Sequence, residues 1–305
     1  MKKKNYFLLL LLGAVFFIGV YSCKKAMDEQ SKDTILTGKV DILVDETILP
    51  VIEDQVMVFE SQYKAKINLI GKSDTEIVQQ LAEGKSNLAI LTRSLTTGEE
   101  GFFKKKNIQG VITPLATDAI AFIAHKSDEA KKINLEDIIT LMQGKSTPLA
   151  GLVFDNANSS TVKYFKDMAK VDQLPKDKIF SFKNNNEVID FVSKNKGMIG
   201  VVGVNWLMQP APEFQDVVNN VSVLEVKLKN GTFASPTQDH IAAGIYPVTR
   251  QIKMINYQGY SGLGTGFASF IAGQIGQRII LKSGLVPFQM PSRNLIIRKE
   301  IEKKQ

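Results

Sequence analysis

Four short polar turns in this chain place hydroxyls, carboxylates and a guanidinium where apolar runs end and helical spacing begins. The first is Val44-Asp45-Glu46-Thr47, ahead of apolar residues at helical intervals from Ile48. The second, Gly71-Lys72-Ser73-Asp74-Thr75-Glu76, has Ser73 and Glu76 at capping-box spacing. The third runs from Phe154-Asp155 to Ser159-Ser160-Thr161 and opens a segment containing Tyr164 and Phe165. Helix N-termini present N–H groups without intrahelical partners and the positive end of the backbone dipole, so they favour an anion. The fourth turn, Thr92-Arg93-Ser94, follows the apolar run Leu88–Leu91 and adds a guanidinium that can grip an oxyanion as a fork. Each turn also reads as an ordinary cap, and spacing alone leaves the two readings balanced.

Other constellations point to no chemistry. The histidines His125 and His240 have no partner at ligand spacing, so no metal site is expected. Gly262-Leu263-Gly264-Thr265-Gly266-Phe267 follows no clear strand and lacks the final glycine of a dinucleotide fingerprint. Gly259-Tyr260-Ser261-Gly262 misses the spacing of a nucleophile elbow, and Asp239-His240 has no nucleophile placed beside it. No catalytic residue and no cofactor is expected. Asp118 reads as a hinge or cap residue, Trp206 as a packing residue, and Tyr246, Pro247 and Arg250 as residues of a crossing between lobes.

The elements that must position the turns follow from periodicity. β-Branched runs alternating with amphipathic stretches indicate an α/β fold. Strands are expected at Val40–Val44, Lys66–Ile70, Leu88–Leu91, Val111–Pro114, Ala119–Ala124, Leu152–Phe154, Met198–Val202 and Val221–Lys227. Helices are expected from Ile48, and at Asp74–Glu83, Leu135–Met142, Thr161–Ala169, Asn186–Ser193 and Gly266–Gln277. Ile245–Pro247 reads as a return crossing.

The N-terminus reads as an export signal. Lys2, Lys3 and Lys4 precede an apolar run, Tyr6–Tyr21, that is shorter than the roughly 20 residues of a spanning helix. Ser22 then precedes Cys23, the single cysteine, as in a lipoprotein leader, although Tyr21 is bulky for that position. The expectation is cleavage before Cys23, lipid on its thiol and an extracytoplasmic location; an uncleaved anchor is the alternative. With Cys23 lipidated, no thiol is left for disulfides or thiolate metal sites. Loss of the three lysines lowers the formal charge from +7 to +4, and this mild balance does not suggest nucleic acid. About 265 residues follow the tether, enough for two lobes.

The chain resembles the substrate-binding lipoproteins of phosphate ABC transporters, the PstS-like family. The resemblance is carried in order by Val44-Asp45-Glu46-Thr47-Ile48-Leu49-Pro50, the Leu81–Ile90 run, Thr92–Glu100, Thr117–Ala121, Ser159-Ser160-Thr161, Tyr246–Arg250, Gly276–Ile280 and Gly284–Pro287. It implies a two-lobe periplasmic-binding-protein-like fold with two hinge crossings. The signal would occupy 1–22 and the tether 23–34. Lobe 1 would comprise 35–115 plus 244–298, lobe 2 would comprise 116–243, and a charged tail would close the chain at 299–305. It further implies a monomer on the outer face of a bacterial membrane that passes inorganic phosphate, or a similar oxyanion, to an ABC permease and ATPase. An oxyanion sensor or a binder of another small ligand without transport, an extracytoplasmic hydrolase, or a structural lipoprotein are the alternatives.

Carried over by position, the resemblance places Glu46 or Thr47, Ser73, Ser159 and Thr161 at the anion. Thr75, Thr92, Ser94 and Ser160 lie in the same turns. Three departures stand out. Thr92 or Arg93 falls where well-known members have the carboxylate that accepts the proton of hydrogen phosphate. Asp155 falls where they have an arginine, and Ser160 replaces a glycine. One reading exchanges the charges, with Arg93 as cation and Asp155 as acceptor. The other makes Arg93 a structural ion pair and the ligand something else.

Overall fold

The computed structural model describes residues 33–105 and 109–290. The expected leader, Cys23, most of the tether and the charged tail lie outside the described residues. In chain order, β1 (Gly38–Asp45) leads through a 3-10 turn (Glu46–Ile48) to α1 (Leu49–Gln62), β2 (Ala65–Lys72), α2 (Asp74–Ala82), β3 (Leu88–Leu91) and α3 (Thr97–Lys105). There follow β4 (Val111–His125), β5 (Lys132–Ile133), α4 (Leu135–Met142), β6 (Gly151–Phe154), α5 (Ser160–Ala169), β7 (Ile179–Ser181), α6 (Asn185–Lys194) and β8 (Met198–Gly203). The remainder comprises α7 (Asn205–Met208), α8 (Gln215–Val218), β9 (Val221–Val223), β10 (Glu225–Lys227), β11 (Phe233–Ala234), α9 (Gln238–Ala242), β12 (Thr249–Asn256), α10 (Leu263–Ala272), α11 (Gln274–Lys282) and β13 (Val286–Pro287).

The main sheet has the order β2-β1-β3-β12-β4-β8-β6-β7, with β13 and β9 also paired to β4. β1 runs parallel to β2 and β3, and β6 runs parallel to β7 and β8. β12 is antiparallel to both β3 and β4. Alternation along the strands explains why these runs are apolar throughout. Ile42 and Val44 enter one core while Leu43 enters another on the opposite face, and Leu88 and Ile90 are likewise split from Ala89 and Leu91. A sheet covered on both faces needs apolar residues at both parities.

Buried apolar side chains collect in two halves. One core is built from Ala119 to Val248; the others draw on Ile42–Ala116 and Ile252–Leu285. The chain therefore passes between halves on β4 and on the approach to β12. Tyr246 and Val248 are buried in the second core and Ala116 in the first, so the crossings fall a few residues beyond 116 and 244. Two hydrogen bonds lock them together: Ile120 N–H to the Val248 carbonyl (3.0 Å) and the Tyr246 hydroxyl to the Ile120 carbonyl (2.8 Å).

Four of the differences from the periodicity reading have a plain physical cause. Val111–Pro114 and Ala119–Ala124 form a single strand of 15 residues, because a register shift opposite Ile252 and Lys253 accommodates Pro114, which has no N–H to donate. Val221–Lys227 divides at Leu224, whose N–H is taken by Phe122, so β9 and β10 join different sheets. The helix expected at 266–277 breaks at Gly273, an extended residue that ends α10 and starts α11. β12 was not apparent from periodicity, because Arg250, Gln251 and Lys253 interrupt its apolar pattern.

Tyr246→Phe should destabilise the fold by about 1–2 kcal/mol, the usual cost of leaving a buried carbonyl without its donor. Urea unfolding measures this, and an unchanged midpoint would contradict the role given to the bond.

Candidate functional site

The ends of β1, β3 and β6 meet where β4 and β12 cross. Asp45 closes β1 fully buried. Its Oδ1 accepts the backbone N–H of Thr47 (3.0 Å) and the Thr47 hydroxyl (2.9 Å), which bends the chain into the 3-10 turn. Its Oδ2 accepts the hydroxyl of Thr92, the residue after β3, at 2.8 Å. From the other half comes the start of α5. Ser159 caps this helix, accepting the Val162 N–H (3.2 Å) and donating to Asp155 Oδ1 (2.5 Å). Asp155 Oδ2 accepts from Asn185 Nδ2 (3.2 Å), and Asn185 Oδ1 accepts the Gly203 N–H (3.3 Å).

Arg250 joins the two sides. It faces Asp118 across the β12–β4 ladder, and its Nε and Nη2 donate to Asp118 Oδ2 at 3.1 and 2.5 Å. Its Nη1 donates to the Ser160 and Thr161 hydroxyls at 2.9 and 3.3 Å. Ser160 Oγ lies 3.3 Å from Thr47 Oγ1. The Thr47 hydroxyl hydrogen is committed to Asp45, so Ser160 is the donor in that contact. A relay therefore runs from guanidinium to carboxylate: Arg250 to Ser160, Ser160 to Thr47, Thr47 to Asp45. Arg250 is 5% exposed and Asp118 0%. Burial opposes the charge on Arg250, but Asp118 and Asp45 together hold the guanidinium protonated.

A second interlobe contact lies beside the first. Asn205 Nδ2 and Trp206 Nε1, both on α7, donate to the Thr47 carbonyl at 3.3 and 2.7 Å. Gly203 makes room for this, since a Cβ there would stand 2.5 Å from Asn205 Oδ1. Buried polar atoms without a hydrogen-bond partner gather in this region: Asp118 Oδ1, Glu46 Oε1 and Asn205 Oδ1. Such atoms are costly unless something else satisfies them. Burial pushes the Asp155 carboxyl up to about 7 against the Ser159 hydrogen bond. Burial and the neighbouring Asp45 push Glu46 up to about 7 as well.

Of the residues singled out in the sequence, Thr47, Thr92, Asp155, Ser159, Ser160 and Thr161 share this hydrogen-bonded cluster, and Glu46 lies beside it. Ser73 is buried, but its hydroxyl and N–H both go to Glu76 (2.7 and 3.2 Å), completing the capping box. Thr75 is exposed and lines a groove of about 220 Å³ with Asn158, Ser159 and Lys163. Arg93 is held by Asp74 (2.9 and 2.8 Å) and Glu99 (2.8 and 2.9 Å), and it also donates to the Ser94 carbonyl (2.9 Å). The exposed Ser94 hydroxyl accepts from Lys253 (2.7 Å). The cation at the cluster is thus Arg250, and Arg93 occupies an ion-pair network at the starts of α2 and α3. Sequence reasoning missed Asp45, Asp118, Asn185, Asn205, Trp206 and Arg250 as site groups. The available signal was parity, since Arg250 shares the inward set of Ile252 and Met254.

Removing one partner of a buried ion pair strands the other charge. Asp118→Ala should therefore cost about 3–5 kcal/mol, and Asp118→Leu combined with Arg250→Met should recover much of that loss. Equal destabilisation of the single and double variants in denaturant melts would contradict the pairing.

Comparison with known proteins gives the same architecture. The model of the PBP superfamily domain matches residues 29–274. The chain is 20% identical to the phosphate-binding protein PstS of Pseudomonas aeruginosa over 312 residues, 91% of this chain and 94% of that protein. It is 24% identical to the PstS of Staphylococcus epidermidis over 270 residues, 83% of this chain and 78% of that protein. A structure from Clostridium perfringens, described as a candidate phosphate ABC transporter substrate-binding protein with bound phosphate, superposes with TM-score 0.68. It is 21% identical and covers 83% of this chain and 100% of that one. The chain belongs to the PBP superfamily and has the two-lobe periplasmic-binding-protein fold.

Proposed function

We propose that this protein captures inorganic phosphate between its two halves and hands it to an ABC importer, with no bond made or broken. The observation that carries the reading is the meeting of hydroxyls from both halves beside Arg250: Ser160 and Thr161 accept from it directly, and Thr47, from the other half, meets it through Ser160. These groups are the donor types that surround an oxyanion, and the first turn of α5 adds backbone N–H groups and a favourable dipole. In the described state the hydroxyls bond to one another and to Arg250. A phosphate oxygen would take the donations of Ser160 and Arg250, and the Thr47 hydroxyl would turn from Asp45 to the anion, leaving Asp45 its bonds from the Thr47 N–H and the Thr92 hydroxyl. Thr92 acts at one remove, through Asp45, and Ser159 and Asp155 fix the start of α5.

Asp118 supplies the acceptor in this reading. One oxygen neutralises Arg250, and the other, buried and unpaired, takes the proton of hydrogen phosphate. Sulfate, which carries no proton at neutral pH, would leave that oxygen facing a like charge. The relatives named for phosphate binding support the ligand, and the ordered resemblance of the turns supports the position. Lipid on Cys23, an extracytoplasmic face and a monomeric receptor complete the proposal. Arg93, Ser73, Thr75 and Ser94 would shape the rim without touching the anion.

Isothermal titration with phosphate and sulfate tests this. Phosphate should bind and sulfate should not, and Thr161→Val should weaken phosphate binding by roughly 1–2 kcal/mol, about five- to thirtyfold. Phosphate at about 100 times its Kd should also stabilise the fold by about 2.7 kcal/mol. Absence of phosphate binding, or equal affinity for sulfate, would contradict the assignment.

A further inference from the structure

Glu46 takes no part in the relay, yet it stands where the halves meet. It begins the 3-10 turn after β1, half-buried, and the side chain of Asn156, from the loop before α5, lies close enough across the cleft to favour its charged form. Asn156 Oδ1 itself accepts the Asn158 N–H at 3.0 Å. One carboxyl oxygen of Glu46, Oε1, is buried without a partner. The charged groups around it are Asp45 on its own turn, Glu76 on α2, Lys72 at the end of β2 and Asp155 at the end of β6. Carboxylates outnumber cations there, and an incoming anion adds to the imbalance.

Resting on the phosphate reading, we propose that Glu46 is a proton-binding site coupled to capture, so that the cleft closes on its anion together with a proton drawn from solvent onto Glu46. An ionised Glu46 would face the anion as a like charge with a buried, unpaired oxygen. A neutral carboxyl presents an O–H donor there instead. When the halves part, water reaches Glu46 and the proton is released. The direction follows from linkage. The carboxyl lies at about 7 in the described state, against an ordinary value of 4.5, because burial and Asp45 penalise its charge. Capture is therefore fully favoured below the ordinary value, and it weakens as pH rises towards about 7.

The test compares the wild type with Glu46→Gln, which keeps a neutral, hydrogen-bonding side chain at every pH. Phosphate titrations from about pH 5.5 to about pH 8 should show wild-type affinity, relative to the variant, falling at least roughly threefold. The ionisation of phosphate itself affects both proteins alike and cancels in the ratio. Calorimetry near pH 6 in buffers of different ionisation enthalpy should count more protons taken up by the wild type. Asn156→Ala removes the side chain that favours the charged form, so it should steepen the pH dependence, which keeps the test open if Glu46→Gln folds poorly. Parallel pH profiles and equal proton counts for wild type and Glu46→Gln, or a flattened profile for Asn156→Ala, would overturn the proposal while leaving phosphate capture intact. Failure of every variant to bind phosphate at any pH would instead sink the ligand, and this proposal with it.

Discussion

A guanidinium buried at the crossing between two halves is the constraint around which this molecule is organised. Arg250 cannot remain charged out of water unless its N–H groups are spent and its charge is matched. Asp118 meets that need from the adjacent strand, at the register position directly opposite. Both residues sit on the strands that carry the chain between cores, so the ion pair and the hinge are one feature. The remaining Nη1 donations reach α5, which tethers the second half to the first through hydroxyls rather than through apolar packing.

That choice has dynamic consequences. Apolar contacts across the cleft would close it permanently, whereas a few hydrogen bonds worth about 1 kcal/mol each can be exchanged for contacts to a ligand. The Thr47 carbonyl, held by Asn205 and Trp206, belongs to the same exchangeable set. Hinge motion about two crossing strands is the established repertoire for folds of this kind. Here the continuous β4 and the Tyr246–Ile120 bond confine that motion to a short stretch of backbone.

Much of this was legible in the sequence because local chemistry decides it. Leu88–Leu91 and Leu135–Met142 have the bounds that periodicity indicates, and Ser73 with Glu76 forms the box that its spacing requires. The turns holding Thr47, Thr92 and Ser159-Ser160-Thr161 are visible as hydroxyl clusters at strand ends. Which charge they surround was not visible. Arg93 has the residue type and the position after a buried strand, but Asp74 and Glu99, at the starts of two helices, take most of its directional donors, and the Ser94 carbonyl takes another. Arg250 lies 90 residues from the serine it contacts, and its strand reads as polar until its pairing with β4 is known. Long-range pairing of this sort leaves no periodic trace, and the same is true of the break at Gly273, where helical spacing continues across an extended residue.

The central claim is best tested by crystallising the protein with phosphate and locating the anion. The account predicts density enclosed between the halves, with its oxygens within about 3 Å of the Arg250 guanidinium and the Thr47, Ser160 and Thr161 hydroxyls. An anion bound at Arg93, or on an open surface with Arg250 still joined to Ser160 and Thr161, would contradict it.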